Sequence, residues 1–214
     1  MGPAVGFGAG LNAPVLDHGH FVAYVSGNIM LKLPPILVVS GASGSGKTTI
    51  CRILSNEFGL YYSVSYTTRA KRDREVNARD YHFVSHDKFK HMIAADDLVE
   101  WAQVYNNFYG TSRHLIEDHL KRGRGVILDL DTQGAANIKK AYPAAVLVFL
   151  KTVTLDDLRH RLVKRGRDSQ AEIERRLAYA QNELAKVDQY DHVILNDNLD
   201  RAVDQARQII KTLI

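Results

Sequence analysis

Residues 36–48 read ILVVSGASGSGKT, an apolar run that ends in a glycine-rich turn. The run of branched apolar residues predicts a buried parallel strand. The turn has the spacing G-x-x-x-x-G-K-[ST] between that strand and a predicted helix at about 47–57, as in a phosphate-binding loop (P-loop). Backbone N–H groups of such a loop, and the helix N-terminus after it, attract anions. We therefore predict that the chain binds a nucleoside triphosphate.

The P-loop supplies candidate ligands for the triphosphate. Lys47 would neutralise charge on the β- and γ-phosphates, and the Thr48 hydroxyl would bind Mg²⁺. The other nucleotide-binding candidates are Gly41, Ser43, Gly44, Ser45, Gly46 and Thr49. A chance glycine-rich turn is the alternative, and the strand and helix predicted on either side argue against it. The motif leaves open GTPases, ATPases and small-molecule kinases.

The rest of the chain alternates predicted strands with predicted helices. An apolar strand is predicted at 126–130, a buried strand at 145–150 and a last strand at 192–195. Longer helices are predicted at about 132–141, 154–165, 169–188 and 199–213. Short strand-like pieces are predicted within 61–83 and 98–109, around a helix near 87–95. Strands that alternate with helices predict an α/β fold with a parallel sheet.

Composition and charge are those of an ordinary globular domain. The chain has 214 residues, 45% of them hydrophobic and 24% charged, which fits one domain with a core. The net charge of +4 suits anionic small molecules as well as nucleic acid, and selects neither. A single cysteine, Cys51, lies in an apolar helical run, so we expect it to be buried, in a protein of a reducing compartment. Without an apolar run long enough for a membrane span, we expect a cytoplasmic protein.

The first thirty residues differ from the remainder. They are rich in glycine and alanine, contain Asp17 as their only charged side chain, and lack the basic start of a signal peptide. We therefore predict a poorly ordered extension over residues 1–33 and a folded domain over 34–214. If Met30 is the natural start, residues 1–29 are upstream translated sequence, which mass spectrometry of the natively expressed protein tests.

A second set of motifs follows the P-loop. Residues 65–77 read SYTTRAKRDREVN, and Asp80-Tyr81, EWAQ at 100–103 and YGT at 109–111 come after them. With the P-loop, these segments resemble the guanylate kinase family, in the family's order, from about residue 36 to the C-terminus. The resemblance implies a P-loop parallel sheet flanked by helices, a small mixed GMP-binding subdomain at about 65–111, and a helical lid at about 154–188. It also implies transfer of the γ-phosphoryl group of ATP to GMP or dGMP, with Mg²⁺.

The resemblance also implies roles for individual residues of the acceptor site. Two arginines and a tyrosine would hold the GMP phosphate, a dianion that suits the fixed fork of guanidinium groups. Glu100 would accept hydrogen bonds from guanine N1–H and the exocyclic amino group, a donor edge that adenine lacks. Ser65 and Thr111 would donate to guanine O6. The phosphate-site residues are Arg69, Arg72 and Tyr81, with Glu75 orienting the arginines and Tyr109 adding a contact.

Acids on the second strand and arginines on the lid complete the prediction. Asp129 and Asp131 would hold Mg²⁺ or lie beside the acceptor, although helix capping explains Asp131 equally well. Arg161, Arg165 and Arg176 match lid positions that would stabilise the transferring phosphoryl group, together with Lys47. We expect the neighbouring arginines 159, 167 and 175 to be solvated.

Two departures and three alternatives remain at this point. Ala42 stands where many family members have proline, a backbone position at which we expect little effect, and Tyr66 is bulkier than the usual residue. The alternatives are a kinase of another phosphorylated acceptor, a guanylate-kinase-like scaffolding module without catalysis, and a nucleic-acid-binding protein. The complete motifs favour GMP and ATP as partners over nucleic acid, whereas the oligomeric state is not encoded in any of them.

Overall fold

The computed structural model describes residues 34–104, 106–166 and 169–214, with backbone only for Arg165, and the backbone of three short strands within 15–32. The strands are β1 (Val15–Asp17), β2 (His20–Val25), β3 (Ile29–Lys32), β4 (Ile36–Ser40), β5 (Tyr61–Ser63), β6 (Tyr66–Thr67), β7 (His82–Phe83), β8 (Leu98–Val104), β9 (Asn107–Ser112), β10 (Val126–Asp129), β11 (Val146–Lys151) and β12 (His192–Leu195). The helices are α1 (Lys47–Phe58), α2 (His86–Ala94), α3 (Arg113–Lys121), α4 (Thr132–Ala141), α5 (Leu155–Arg165), α6 (Gln170–Leu184) and α7 (Leu199–Leu213). Among the helices of this described part, none is long and apolar enough to cross a membrane.

The core is a five-stranded sheet with the order β12-β11-β4-β10-β5, in which each pair of neighbours is parallel. The predicted α/β fold with a parallel sheet is therefore confirmed. In the central strand β4 all five residues are buried. Leu37 and Val39 pack with α1 and α7 on one face, whereas Ile36 and Val38 pack with α3 and α4 on the other. This alternation follows from the two-residue period of a strand covered on both faces.

The N-terminal strands β1, β2 and β3 pair antiparallel with one another in that order. Only their backbone is described, so the expectation of a poorly ordered extension over residues 1–33 stays a prediction.

A second sheet, with the order β7-β6-β9-β8, forms the mixed unit expected at about 65–111. Its β6–β7 pair is parallel, and its β6–β9 and β8–β9 pairs are antiparallel. Phe89 and Met92 of α2 pack on this sheet, against Leu98 of β8. The strand pair β8–β9 places Glu100 directly opposite Thr111.

Helix α3 follows β9, in a stretch for which no element was predicted. The Ser112 side chain caps it by accepting a hydrogen bond from the Leu115 N–H, and Ile116 is its one fully buried residue. The helix has only nine residues, six of them polar, so it is shorter than the window over which helical periodicity is read from a sequence.

Helices α5 and α6 form a hairpin that packs on the P-loop. Leu158 and Leu162 of α5 meet Ile173 and Leu177 of α6 in one buried cluster, which also contains Ala42. Position 42 therefore contributes its side chain as well as its backbone, contrary to expectation. The second helix of the hairpin was predicted to run to about residue 188, but α6 ends at Leu184 and a short 3₁₀ turn follows.

Leu54 of α1 is 0% exposed between the helix and the sheet. We expect Leu54→Ala to lower the free energy of unfolding by about 2–5 kcal/mol, because the cavity cannot fully collapse. Urea unfolding followed by circular dichroism measures it. The control Val163→Ala removes a 55% exposed side chain of α5 and should change stability by less than about 0.5 kcal/mol. Equal losses in both variants would contradict the core placement of Leu54.

Candidate active site

The P-loop runs from the end of β4 into α1 and is held against the neighbouring strand ends. Gly41 has φ 135°, and a Cβ at this position would lie 2.3 Å from the Leu150 backbone oxygen. A side chain is excluded here both by conformation and by space. At the far end, Asn196 follows β12 and donates its side-chain N–H to the Ser45 backbone oxygen at 2.7 Å. The loop is therefore fixed before any ligand arrives.

The first two side chains of α1, Lys47 and Thr48, contact the loop and the end of strand β10. The Lys47 ammonium donates to the backbone oxygens of Gly41 at 2.6 Å and Ala42 at 3.1 Å, across the mouth of the loop. The Thr48 hydroxyl donates to an Asp129 carboxylate oxygen at 2.5 Å. Asp129 was predicted to hold Mg²⁺ or to lie beside the acceptor, and this contact places its carboxylate next to the hydroxyl that was predicted to bind Mg²⁺.

Two of the predicted lid arginines contact the P-loop. Arg161 donates to the Asn196 backbone oxygen at 2.6 Å and to that of Ser45 at 3.4 Å. Arg176 donates to the Ser43 hydroxyl at 2.6 Å. The side chain of Arg165 lies outside the described residues. The hairpin thus brings positive charge to the phosphate side of the loop.

Two of the neighbouring arginines have solvent-accessible side chains, and each forms an ion pair with a glutamate of the hairpin. Arg159 pairs with Glu174 across the two helices, with one contact at 2.9 Å. Arg175 pairs with Glu172 at 2.6 Å along α6. Arg167 lies outside the described residues.

The basic segment, residues 65–81, is held together by Glu75. The Glu75 carboxylate accepts two bonds from the Arg69 guanidinium, at 2.8 and 3.0 Å, and one from the Arg72 backbone N–H at 2.9 Å. Arg69 lies over the Tyr81 ring at 5.4 Å, and Tyr81 meets Tyr109 edge-on at 5.9 Å. Burial raises the pKa of Tyr81 to about 12, with a further contribution from the Asp129 charge. Tyr81 therefore stays a neutral hydrogen-bond donor.

The carboxylate predicted to recognise the base is buried. Glu100 is 7% exposed, and one of its oxygens accepts a hydrogen bond from the Thr111 hydroxyl at 2.5 Å. Burial raises the pKa of Glu100 to about 7, the Thr111 bond opposes the shift, and the Asp131 charge adds to it. A buried acid with one hydroxyl partner is not a surface acid, and it has unused capacity to accept hydrogen bonds.

Asp131 caps α4, the role that sequence reasoning left as one of two alternatives. Its side chain accepts a hydrogen bond from the Gly134 N–H at 2.8 Å. A Cβ on Gly134 would lie 3.2 Å from an oxygen of Glu100, so the first turn of α4 packs directly against the Glu100 carboxylate. Ser65 comes directly before β6, whose Tyr66 pairs with Gly110, the neighbour of Thr111 on β9. Tyr66 stacks on His82 at 4.5 Å and packs with the cluster under α2.

The guanylate kinase family model matches residues 34–213. The chain belongs to the guanylate kinase family. A guanylate kinase of Dechloromonas aromatica is 45% identical over 177 residues, which is 82% of this chain and 88% of that protein. One of Gloeobacter violaceus is 46% identical, covering 83% of this chain and 87% of the relative. A solved guanylate kinase from Anaplasma phagocytophilum aligns with TM-score 0.69 at 30% identity, over 84% of this chain and 85% of that one.

Sequence reasoning missed three residues that shape this guanylate kinase site. Asn196 is 4% exposed and holds both the P-loop and Arg161. Arg52 donates to Asp80 at 3.2 Å and so ties α1 to the basic segment. Gly134 leaves room for Glu100. A polar residue directly after a predicted strand was the available signal for Asn196, whereas the other two depend on packing between distant segments.

The pKa of Glu100 can be measured by following its carboxyl carbon by NMR as the pH is varied. We expect an apparent pKa of about 7. Thr111→Val removes the hydroxyl that donates to the carboxylate, so the pKa should rise further. The control Thr212→Val, at the exposed end of α7, should leave it unchanged. A wild-type pKa of about 4.3, as in a solvated glutamate, would contradict the burial of the Glu100 carboxyl.

Proposed function

We propose that this guanylate kinase family member transfers the γ-phosphoryl group of ATP to GMP, giving ADP and GDP. The observation that carries the proposal is the buried pair of Glu100 and Thr111. The first turn of α4 packs against Glu100, and the same chain has a complete P-loop. Family membership supports both halves of the reaction.

The Glu100–Thr111 pair can exchange its internal hydrogen bond for bonds to guanine. Guanine offers two adjacent donors, N1–H and the exocyclic amino group, to a carboxylate. With these donors in place, the Thr111 hydroxyl turns to donate to guanine O6. Adenine offers no such pair of donors and would leave the buried carboxylate unpaired, which costs far more than the loss of an exposed contact.

The acceptor phosphate would lie between the basic segment and the aromatic pair. Arg69 and Arg72 supply guanidinium groups, and the Tyr81 and Tyr109 hydroxyls supply further hydrogen-bond donors. Glu75 fixes Arg69 through two bonds, so the guanidinium is held in place before the phosphate binds. Arg52, through Asp80, ties this segment to the helix that follows the P-loop.

In the transfer step, an oxygen of the GMP phosphate forms a bond to the γ-phosphorus, and the bond to the β-phosphate bridging oxygen breaks. Negative charge spreads over the phosphoryl oxygens in the transition state, so cations held in fixed positions supply most of its stabilisation. Lys47 reaches the mouth of the loop, and Arg161 and Arg176 approach it from the hairpin. Arg165 lies on the same helix as Arg161 and remains a predicted contributor. We infer that the hairpin acts as a lid that excludes water from the phosphoryl group.

Thr48 and Asp129 fit a Mg²⁺ ion that accompanies ATP. Mg²⁺ prefers oxygen ligands such as hydroxyl and carboxylate groups. The Thr48 hydroxyl oxygen and one Asp129 carboxylate oxygen lie 2.5 Å apart, at the end of β10. The described residues contain no group of three acidic, histidine or cysteine side chains that could hold a metal. Mg²⁺ sites in kinases take few protein ligands, because nucleotide phosphates and water complete the shell. When bound, the ion neutralises phosphate charge.

A coupled assay of ADP release with ATP and Mg²⁺ tests the proposal, with GMP, dGMP, AMP, CMP and UMP offered in turn. We expect turnover with GMP and dGMP. Lys47→Ala should lower turnover by about 100-fold or more, because it removes a cation that acts on the transferring group. The exposed Lys211→Ala on α7 serves as its control. Equal turnover of AMP and GMP by the wild-type chain would contradict guanine recognition.

Glu100→Gln keeps the shape of the side chain and removes its charge. We expect kcat/KM for GMP to fall by about 10–100-fold, as for a lost hydrogen bond to a charged group, while turnover of AMP changes little. The control is Asp97→Asn, which removes an exposed negative charge just before β8. An unchanged GMP-to-AMP ratio in Glu100→Gln would mean that this carboxylate does not read the base.

A further inference from the structure

One face of helix α1 contacts both the donor side and the acceptor side of the site. Thr48 and Arg52 are four residues apart on this helix, so they lie on the same face. Thr48 contacts Asp129 at the end of β10. One turn further along, the Arg52 guanidinium donates to the Arg79 backbone oxygen at 2.8 Å and to an Asp80 carboxylate oxygen at 3.2 Å. The helix that begins with the P-loop lysine is therefore bonded directly to the basic segment.

The Arg52 guanidinium is also held by the ring of Tyr62 on β5. Its central carbon lies 5.5 Å from the centre of the Tyr62 ring, within the range of a cation–π contact. Both Arg52 and Asp80 are partly buried. A planar guanidinium with oxygen acceptors in one segment and a ring in another has a defined orientation. The contact can therefore fix the distance between α1 and the basic segment.

Asp80 connects Arg52 to the groups proposed to bind the acceptor phosphate. Its second carboxylate oxygen accepts a hydrogen bond from the Val76 N–H at 2.8 Å. Val76 directly follows Glu75, whose carboxylate accepts two bonds from Arg69. Tyr81 directly follows Asp80 in the chain. The carboxylate that receives Arg52 is thus joined over short distances in the chain to both parts of the proposed phosphate site.

We propose that Arg52 is a positioning residue for phosphoryl transfer, which holds the acceptor-phosphate site at a fixed distance from the P-loop. Arg52 touches neither nucleotide in this assignment. When it is removed, the bonds between Glu75 and Arg69 remain, and so does the bond from Asn196 to the P-loop, but the two sites are no longer aligned. A displacement of about 1 Å between reacting groups can cost about 100-fold in rate. The proposal rests on the proposed kinase activity and adds a residue to it.

The test measures single-turnover phosphoryl transfer by rapid quench, with enzyme in excess over GMP and with saturating ATP and Mg²⁺. Such an experiment separates the transfer step from product release. We expect Arg52→Ala to lower the single-turnover rate about tenfold or more, with the Kd for GMP and the KM for ATP within about twofold of wild type. Arg52→Lys keeps a charge that can reach one of the two oxygens and should restore part of the rate.

Asp80→Asn removes the charge that Arg52 meets and keeps an oxygen that can accept from the Val76 N–H. We expect it to slow the transfer step in the same direction as Arg52→Ala. The double variant should be no slower than the slower of the two single variants, because both changes remove one connection. Independent, multiplying losses would show that the two residues act separately, which would overturn the proposal.

Arg207→Ala is the matched control. Arg207 is partly buried like Arg52, and its guanidinium lies 2.9 Å from Glu57, near the other end of α1. The change removes an arginine ion pair from the same helix without touching the basic segment, and should leave the single-turnover rate unchanged. An equal loss of rate in this control would overturn the proposal, because the effect would then come from a general loosening of α1.

Two further outcomes for Arg52→Ala would contradict its positioning role. A wild-type single-turnover rate beside a lowered Tm would reduce the pair to a contact that only stabilises the fold. A raised Kd for GMP at an unchanged rate would mean that the residue acts through acceptor binding. A wild-type chain that transfers phosphate to no monophosphate would instead contradict the proposed function, and with it the role of Arg52.

Discussion

The close contact between the P-loop and the ends of β11 and β12 is the constraint on which the site depends. Gly41 lies so near the Leu150 backbone that no side chain fits between them. At the other end of the loop, Asn196 bonds to Ser45. These contacts fix the loop to the carboxyl edge of the parallel sheet, where its N–H groups and the N-terminus of α1 converge on one place. The hairpin of α5 and α6 then packs on the same loop through Ala42, which brings Arg161 and Arg176 to the phosphate side.

The acceptor side is organised by buried charge. Glu100 is removed from water with a single hydroxyl partner, a costly arrangement in the absence of a ligand and one that a ligand with two donors can relieve. Glu75 is the counterpart in the phosphate region, since its bonds to Arg69 and the Arg72 backbone hold the basic segment in shape. Glu100 is available to accept bonds from donors on the ligand, whereas Glu75 keeps the Arg69 guanidinium in position to bind an anion.

The two sides meet at β10 and the start of α4. Thr48 contacts Asp129 at the end of β10, and two residues later Asp131 caps α4 beside Glu100. The carboxyl end of β10 thus joins the donor loop to the acceptor pocket, so that a change there affects both sides of the reaction.

The sequence by itself determined the parallel α/β core and the P-loop, because hydrophobic periodicity and a glycine–lysine motif are local signals. Order and spacing of the motifs also pointed to the candidate residues on both sides, including Glu100 and Arg69. Tertiary structure alone decided that Asp131 caps α4, that Ala42 packs under the hairpin, and that Asn196 and Arg52 take part, because each depends on segments distant in the chain. Helix α3 escaped prediction because it is short and mostly polar. Local patterns reveal which residues can bind phosphate, whereas burial and pairing, which give Glu100 its chemistry, arise only when the chain is folded.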